Sequence, residues 1–280
     1  MTSSAAAPAL NHFGEIRQLL EQRAGILLDQ HPEFLSQRIS DYAASRGLGS
    51  LAELLALLRS SAMECDALQD QVLVTESRFF RHALAFETLE KVVIPELRMR
   101  KFWEVPRALR LWSAGCGTGE EAYSMAIALS ECVDVGPGWQ IQVIASDLSR
   151  HALHQAERGL YSRRSLDGIP LRLLQRYFVK VGEHFLVKPE VRNLVSFVPG
   201  NLGRTAAPGS FDCIFFVDVL HYLARAARPS ALKRFDDALK PGGYILLAPG
   251  EALPNTSMEF HERKHGSYRF YQKPASRRDS

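Results

Sequence analysis

From Pro106 onward, short apolar runs alternate with amphipathic stretches, and this rhythm limits the fold more than any other feature of the sequence. The runs are LRLWSAG (109–115), IQVIASD (141–147), FDCIFFVDVL (211–220) and GGYILLAPG (242–250), with helical patterns at 120–132, 149–158 and 229–239 between them. Runs that apolar belong to strands buried on both faces, and helices of that length supply crossovers between parallel strands. The expectation is an α/β domain over 107–273. Residues 171–199 break the rhythm with a helix, a short hairpin turning at Gly182 (YFVKV, then HFLVK) and a strand, and read as an inserted β subdomain. SYRFYQK (267–273) alternates as a last strand, and 274–280 read as a flexible tail.

The first part of the chain has a different texture. Between Phe13 and Arg81 apolar residues recur at three- and four-residue steps, as in Ile16, Leu19 and Leu20 or Leu51, Leu54, Leu55 and Leu58. That period predicts an all-helical N-terminal domain over 1–83. Ser50 and Glu53 form a capping-box pattern, and Gly47 and Gly49 close the preceding helix. Residues 84–106 read as a linker helix, broken or kinked near Pro95.

Composition narrows the class. The 280 residues are 46% apolar and 23% charged, ordinary for a folded chain, and the net charge of +3 is too small to predict a nucleic-acid partner. Cys65, Cys116, Cys132 and Cys213 are scattered without a CxxC pair, which fits reduced thiols. The opening MTSSAAAPAL lacks a signal-peptide pattern, and no window approaches ~18 uninterrupted apolar residues. A soluble cytoplasmic protein without membrane insertion is expected.

Leu111 to Glu121 carry the chemistry: a strand, three glycines spaced GxGxG at 115, 117 and 119, then a helix opening on Glu120 and Glu121. Gly115 and Gly117 let the backbone pass close beneath a ligand. A dinucleotide fingerprint needs glycine or alanine at position 120, and two carboxylates there would repel a pyrophosphate. They suit a ligand carrying an ammonium and a sulfonium, as S-adenosylmethionine does. Asp147, ending the next strand about thirty residues on, stands where an acid accepts from ribose hydroxyls. The bland alternative is a tight strand-to-helix turn, with both glutamates serving only as partners of the helix dipole.

Six ordered segments resemble the chemotaxis receptor methyltransferases, the CheR family. TESRFFRH (75–82) is similar to the family's N-(E/L)-T-x-F-F-R, WSAGCGTGEEAYSMAIAL (112–129) to WSAxxSTGEEPYSIA, and ASDLSRHALHQAERGLY (145–161) to ATDI...L..A..G.Y. GNL (200–202), FDCIFFVDVLHYL (211–223) and LKPGGYILL (239–247) follow in the family's order. The resemblance implies a Rossmann-like class I methyltransferase domain with a small antiparallel β insertion behind an all-α domain. It implies methyl transfer from S-adenosylmethionine to glutamate side chains on the cytoplasmic helices of chemoreceptors, releasing S-adenosylhomocysteine. It also implies Arg81 and Tyr222 as catalytic residues. Thr75, Ser77, Arg81, Glu121 and Asp147 would contact the cofactor, with Asn201 and Leu202 near the adenine. Phe79 and Phe80 read as packing, and Arg81 could instead make an interdomain salt bridge.

The sequence departs from the family in five respects. Val217 and Asp218 stand where an arginine and an asparagine are usual, with Asp218 still able to line the cofactor pocket; Thr75 replaces an asparagine. His221 precedes Tyr222, but an ionised carboxylate acceptor needs no base. QRISDYAASRG (37–47) is thinner in arginine than the helix that relatives turn toward receptors. The insertion is about three residues shorter than in members that grip a receptor's C-terminal pentapeptide, so no such tether is expected. A monomer is expected. Two alternatives remain: a methyltransferase for another protein or a small molecule, and a non-catalytic module that senses the cofactor or its product.

Overall fold

The computed structural model describes residues 6–28, 32–73, 77–133, 138–220, 222–254 and 258–275. Thr75 and His221 lie outside the described residues. The chain divides into two compact units, one of residues 1–74 with 221–228 and one of 75–220 with 229–280. Sequence texture put the boundary near residue 83; packing puts it after Val74, because residues 77–82 contribute Phe79 to the core of the second unit.

The first unit is built from α1 (Ala6–Ala24), α2 (Pro32–Ser45), α3 (Leu51–Ser60) and α4 (Ala62–Val72). Their apolar stripes meet in one core that includes Ile16, Leu20, Ile39, Leu54 and Leu68. The cap expected at Ser50 is present: the Glu53 N–H donates to Ser50 Oγ at 3.3 Å, while the Glu53 carboxylate accepts from the Gly49 N–H at 2.8 Å. Gly47, at φ +68°, ends α2 in the left-handed turn that leaves a β-carbon strained. Residues 222–228 join this unit through the backbone, with the Leu27 N–H donating to the Tyr222 carbonyl at 2.6 Å and the Ala224 N–H to the Gly25 carbonyl at 3.1 Å.

The second unit opens with α5 (Ala83–Thr88), a π-helical turn over Leu89–Val93, and α6 (Ile94–Arg100). The kink expected at Pro95 takes the form of this π turn. Proline has no N–H to donate and its ring crowds the carbonyl four residues back, and a wider turn relieves the clash. There follow β1 (Arg107–Ala114), α7 (Glu120–Cys132), β2 (Trp139–Asp147), α8 (Arg150–Arg158), β3 (Leu160–Ser162), α9 (Leu171–Tyr177), β4 (Phe178–Val181), β5 (His184–Val187), α10 (Pro189–Arg192), β6 (Val195–Pro199), β7 (Phe211–Phe216), α11 (Arg228–Ala238), β8 (Leu239–Leu247), β9 (His261–His265) and β10 (Tyr268–Gln272).

Seven strands form one sheet in the order β6-β2-β1-β7-β8-β10-β9. The first five are parallel, and β10 and β9 close the edge antiparallel. This is the α/β, Rossmann-like architecture expected. A second sheet, β3-β5-β4, is antiparallel, with the hairpin turning at Gly182 at φ +59°. The insertion read as 171–199 is redrawn at both ends: Leu160–Ser162 joins the small sheet, and Val195–Pro199 pairs with β2 in the large one.

Strand order reverses at β1, whose neighbours β2 and β7 come from different parts of the chain, and such a switch point opens a crevice beyond the strands' carboxyl ends. Register brings those ends level: Ala114 faces Ser146, Asp147 faces Pro199, and Ser113 faces Phe215. Gly115, Asp147, Asn201 and Asp218, from four separate sequence segments, therefore lie at or just beyond one edge of the sheet.

Candidate functional site

The loop after β1 turns tightly because Gly115, Gly117 and Gly119 take φ of +92°, +53° and +94°. The Gly115 and Cys116 N–H groups donate to the Ser146 carbonyl at 2.8 and 3.0 Å, and the Gly117 N–H donates to Asp147 Oδ2 at 2.8 Å. The Ser149 N–H donates to the other oxygen of Asp147 at 2.9 Å. Backbone donors thus fix the Asp147 side chain at the end of β2, bonded to the glycine loop.

The two glutamates that open α7 part company, since successive helical side chains project about 100° apart. Glu121 points to β1, where Ser113 Oγ donates to Oε1 at 2.6 Å. Burial pushes its carboxyl up to about 7, Asp218 pushes the same way, and Ser113 and Arg81 pull it down. Glu120 is also buried and raised by burial, but its partners are Thr118 Oγ1 at 2.6 Å and Ser165. Ser77, expected at the cofactor, lies with Thr118 and Glu120 in the wall of a cavity of about 470 Å³ that also takes in Arg158, Arg164 and His184.

Arg81 is half-exposed, with its Nη2 3.2 Å from Asp218 Oδ2, and His82 Nε2 lies 2.7 Å from the same oxygen. With the bounds read from sequence this ion pair joins the 1–83 and 107–273 domains, as the salt-bridge alternative expects; by packing both residues fall in one unit. Among the described residues, Phe80 (φ +51°) and Asp218 (φ +58°) are the non-glycine residues in the left-handed region. One precedes Arg81 and the other pairs with it, so backbone strain is held at both ends of the contact. The strain at Phe80 is fixed by its neighbours: its N–H donates to Ser124 Oγ at 2.9 Å, and Phe79 stacks edge-on against Tyr161 and Phe178. Phe79 and Phe80 are packing residues, as expected.

Asn201 sits in the turn after β6, where its side chain accepts from the Gly203 N–H at 3.0 Å. Leu202 borders a small hollow with Trp112, Ser146 and Thr205, and Trp112 donates to Ser146 Oγ at 2.9 Å. Val217 is a buried apolar residue after β7. Tyr222 falls among the residues grouped with the helical unit. Sequence reasoning missed His82 and Ser113. His82 stands directly after the FFR segment, but its partner is 136 residues away and adjacency gave no hint of it.

Burial pushes the Cys116 thiol upward, Asp147, Glu121 and Glu120 add to it, and Glu121 also feels Asp218, so acids gather around the loop. A lining of buried acids favours a cationic ligand, and one bearing an ammonium and a sulfonium fits it where a phosphate would not. Residues 75–268 match the family model described as CheR methyltransferase, SAM binding domain, and residues 11–73 match the CheR methyltransferase all-alpha domain. The chain belongs to the CheR methyltransferase family. It is 34% identical to chemotaxis protein methyltransferase 1 of Pseudomonas aeruginosa over 87% of this chain and 90% of that protein. It is 33% identical to the chemotaxis protein methyltransferase of Escherichia coli over 92% of this chain and 90% of that one. A solved glycopeptide N-methyltransferase with bound S-adenosyl-L-methionine aligns at a TM-score of 0.34 and 16% identity, over 65% of this chain and 67% of that one. As a CheR methyltransferase, the protein uses S-adenosylmethionine. All four cysteines are free, and among the described residues no helix is long and apolar enough to cross a membrane and no cluster of His, Cys, Asp and Glu could hold a metal.

Proposed function

We propose that this CheR protein methylates glutamate side chains on the cytoplasmic helices of chemoreceptors, forming glutamate methyl esters and S-adenosylhomocysteine. The names of its relatives, chemotaxis protein methyltransferases, support the pathway. The observation that carries the reading is Arg81, a half-exposed guanidinium anchored on Asp218 and electrostatically coupled to the buried Glu121. A cation there can draw a carboxylate acceptor toward the methyl donor.

When bound, S-adenosylmethionine supplies an electrophilic methyl group on a sulfonium. The chain's own residues then have modest work, because a glutamate acceptor is ionised at neutral pH and gives up no proton. Glu121 and Asp218 would hold the ammonium, Asp147 the ribose hydroxyls, and Asn201 and Leu202 the adenine, over the backbone of Gly115 and Gly117. Arg81 orients the incoming carboxylate, and Tyr222 keeps the catalytic role that the family resemblance implies. Ser77 and Thr75 complete the assigned cofactor contacts. The hairpin's strands are four residues each, β4 and β5, and we assign the protein to the members that need no pentapeptide tether.

Radiolabelled methyl transfer onto receptor-containing membranes, scored as base-labile methanol, tests the function. Label on receptor glutamates is expected. Label only on another protein or a small molecule would support a different acceptor, and tight cofactor binding without transfer would support a sensor. At saturating cofactor, Arg81→Ala should cut turnover by roughly a hundredfold, the order for a positioning and charge-stabilising group. Unchanged turnover would remove Arg81 from its role.

A further inference from the structure

The connection from α6 to β1 displays apolar side chains that the fold had no need to expose. Met99 is 78% exposed, Trp103 86% and Val105 96%, with Phe102 about half exposed beside them. Four large apolar groups within seven residues form a patch, and contiguous patches of this kind on a folded chain mark contact surfaces. The segment is held from beneath. Lys101, at the end of α6, is buried with its ammonium 2.9 Å from Asp212 Oδ1, and Arg107 Nε donates to the Phe102 carbonyl at 2.8 Å. Phe102 and Trp103 pack edge to face with centroids 4.9 Å apart, and the Arg107 guanidinium lies over the Phe102 ring. The aromatic tip is therefore presented on an anchored base.

We propose that this tip is a peripheral membrane contact that seats on anionic phospholipid. Side chains exposed by nine-tenths protrude, and protruding groups suit a soft surface rather than a partner that needs a pocket to fill. Charge favours the same occupant. Leaving aside Lys101, whose ammonium is paired with the buried Asp212, residues 98–107 hold Arg98, Arg100 and Arg107 against the single acid Glu104, whereas the whole chain of 280 residues carries only +3. Arg98 and Arg100 are exposed, and Glu104 lies 3.4 Å from Lys101. Tryptophan and phenylalanine flanked by arginine are the side chains that settle at the headgroup level of an anionic bilayer. The contact is with the interface and needs no spanning helix. For an enzyme whose proposed acceptors are membrane-anchored, adsorption would raise local concentration as a tether does.

Vesicle sedimentation tests this without any methyl transfer, so it stands or falls separately from the proposed reaction. The full chain should co-sediment with mixed phosphatidylcholine–phosphatidylserine vesicles, weaken with added salt, and bind pure phosphatidylcholine poorly. Trp103→Glu and Val105→Glu should each lower the partition coefficient roughly tenfold. Met63→Glu, an equal charge change at another exposed apolar residue, should leave it unchanged. Equal binding of the Trp103→Glu, Val105→Glu and unsubstituted proteins would overturn the proposal. So would an absence of vesicle binding together with a concentration-dependent dimer that Trp103→Glu dissolves, which would make the patch a contact between copies.

Discussion

Glu121 sits with its charge balanced near neutrality, because burial holds its carboxyl at about 7 while Ser113 and Arg81 pull it down. Between the ordinary value of 4.5 and about 7 the folded chain keeps a proton that the unfolded chain has released. The ligand-free protein therefore loses stability as pH rises through that window. A bound ammonium favours the ionised form, so cofactor binding near pH 6 should expel a proton and tighten as pH rises. Calorimetry in buffers of different ionisation enthalpy measures this, and a slope of zero would refute it; Glu121→Gln should abolish the proton release. Asp218→Asn offers a second test at the same scale. Removing the Asp218 charge lifts its upward push on Glu121 and releases Arg81, so the pH midpoint of cofactor binding should move to lower pH. An unmoved midpoint would show that Asp218 and Glu121 are not coupled.

Among the elements, the glycine loop is packed tightly against α8. A β-carbon on Gly119 would come 2.7 Å from Ala156 Cβ and 3.2 Å from Ala156 Cα on α8, at a φ of +94°. A flexible side chain could yield, but the backbone of α8 cannot move cheaply. Gly119→Ala should cost about 2–4 kcal/mol in urea unfolding, combining left-handed strain with overpacking. A loss below half a kilocalorie would mean that α8 yields after all. The same loop was legible in the sequence, since glycines between an apolar run and a helix have few other uses. The parallel strands were legible too, being apolar on both faces. HERKH (β9) was not, because no apolar alternation marks it and only pairing with β10 makes it a strand. The sheet that Val195–Pro199 joins is decided by its partner β2, about fifty residues earlier, and not by its own composition. Glu120 and Glu121 are likewise indistinguishable as letters; only the helical turn sends one to Ser113 and the other to Thr118.

Across the whole molecule, the chain does not sort into units in simple order. After β7 it contributes residues 221–228 to the helical unit, then returns for most of α11 and β8. Ile26 and Leu223 form an isolated antiparallel bridge there, Leu223 is buried, and Arg228 Nε donates to the Leu223 carbonyl at 3.1 Å. Sequence could not reveal this return, because the bonds join residues about two hundred positions apart through backbone atoms that every residue carries. Tyr222 lies within it, and its carbonyl accepts from the Leu27 N–H. The exposed Arg225 should accordingly resist trypsin in the native protein, since a protease needs a mobile backbone and this one is bonded at Tyr222 and Ala224. Leu223→Asp, which buries an unpaired charge at the bridge, should speed cleavage after Arg225 roughly tenfold or more under native conditions. Mass spectrometry of the fragments locates the cut, and cleavage no faster than in the unsubstituted chain would show that the segment is held by something other than this bridge.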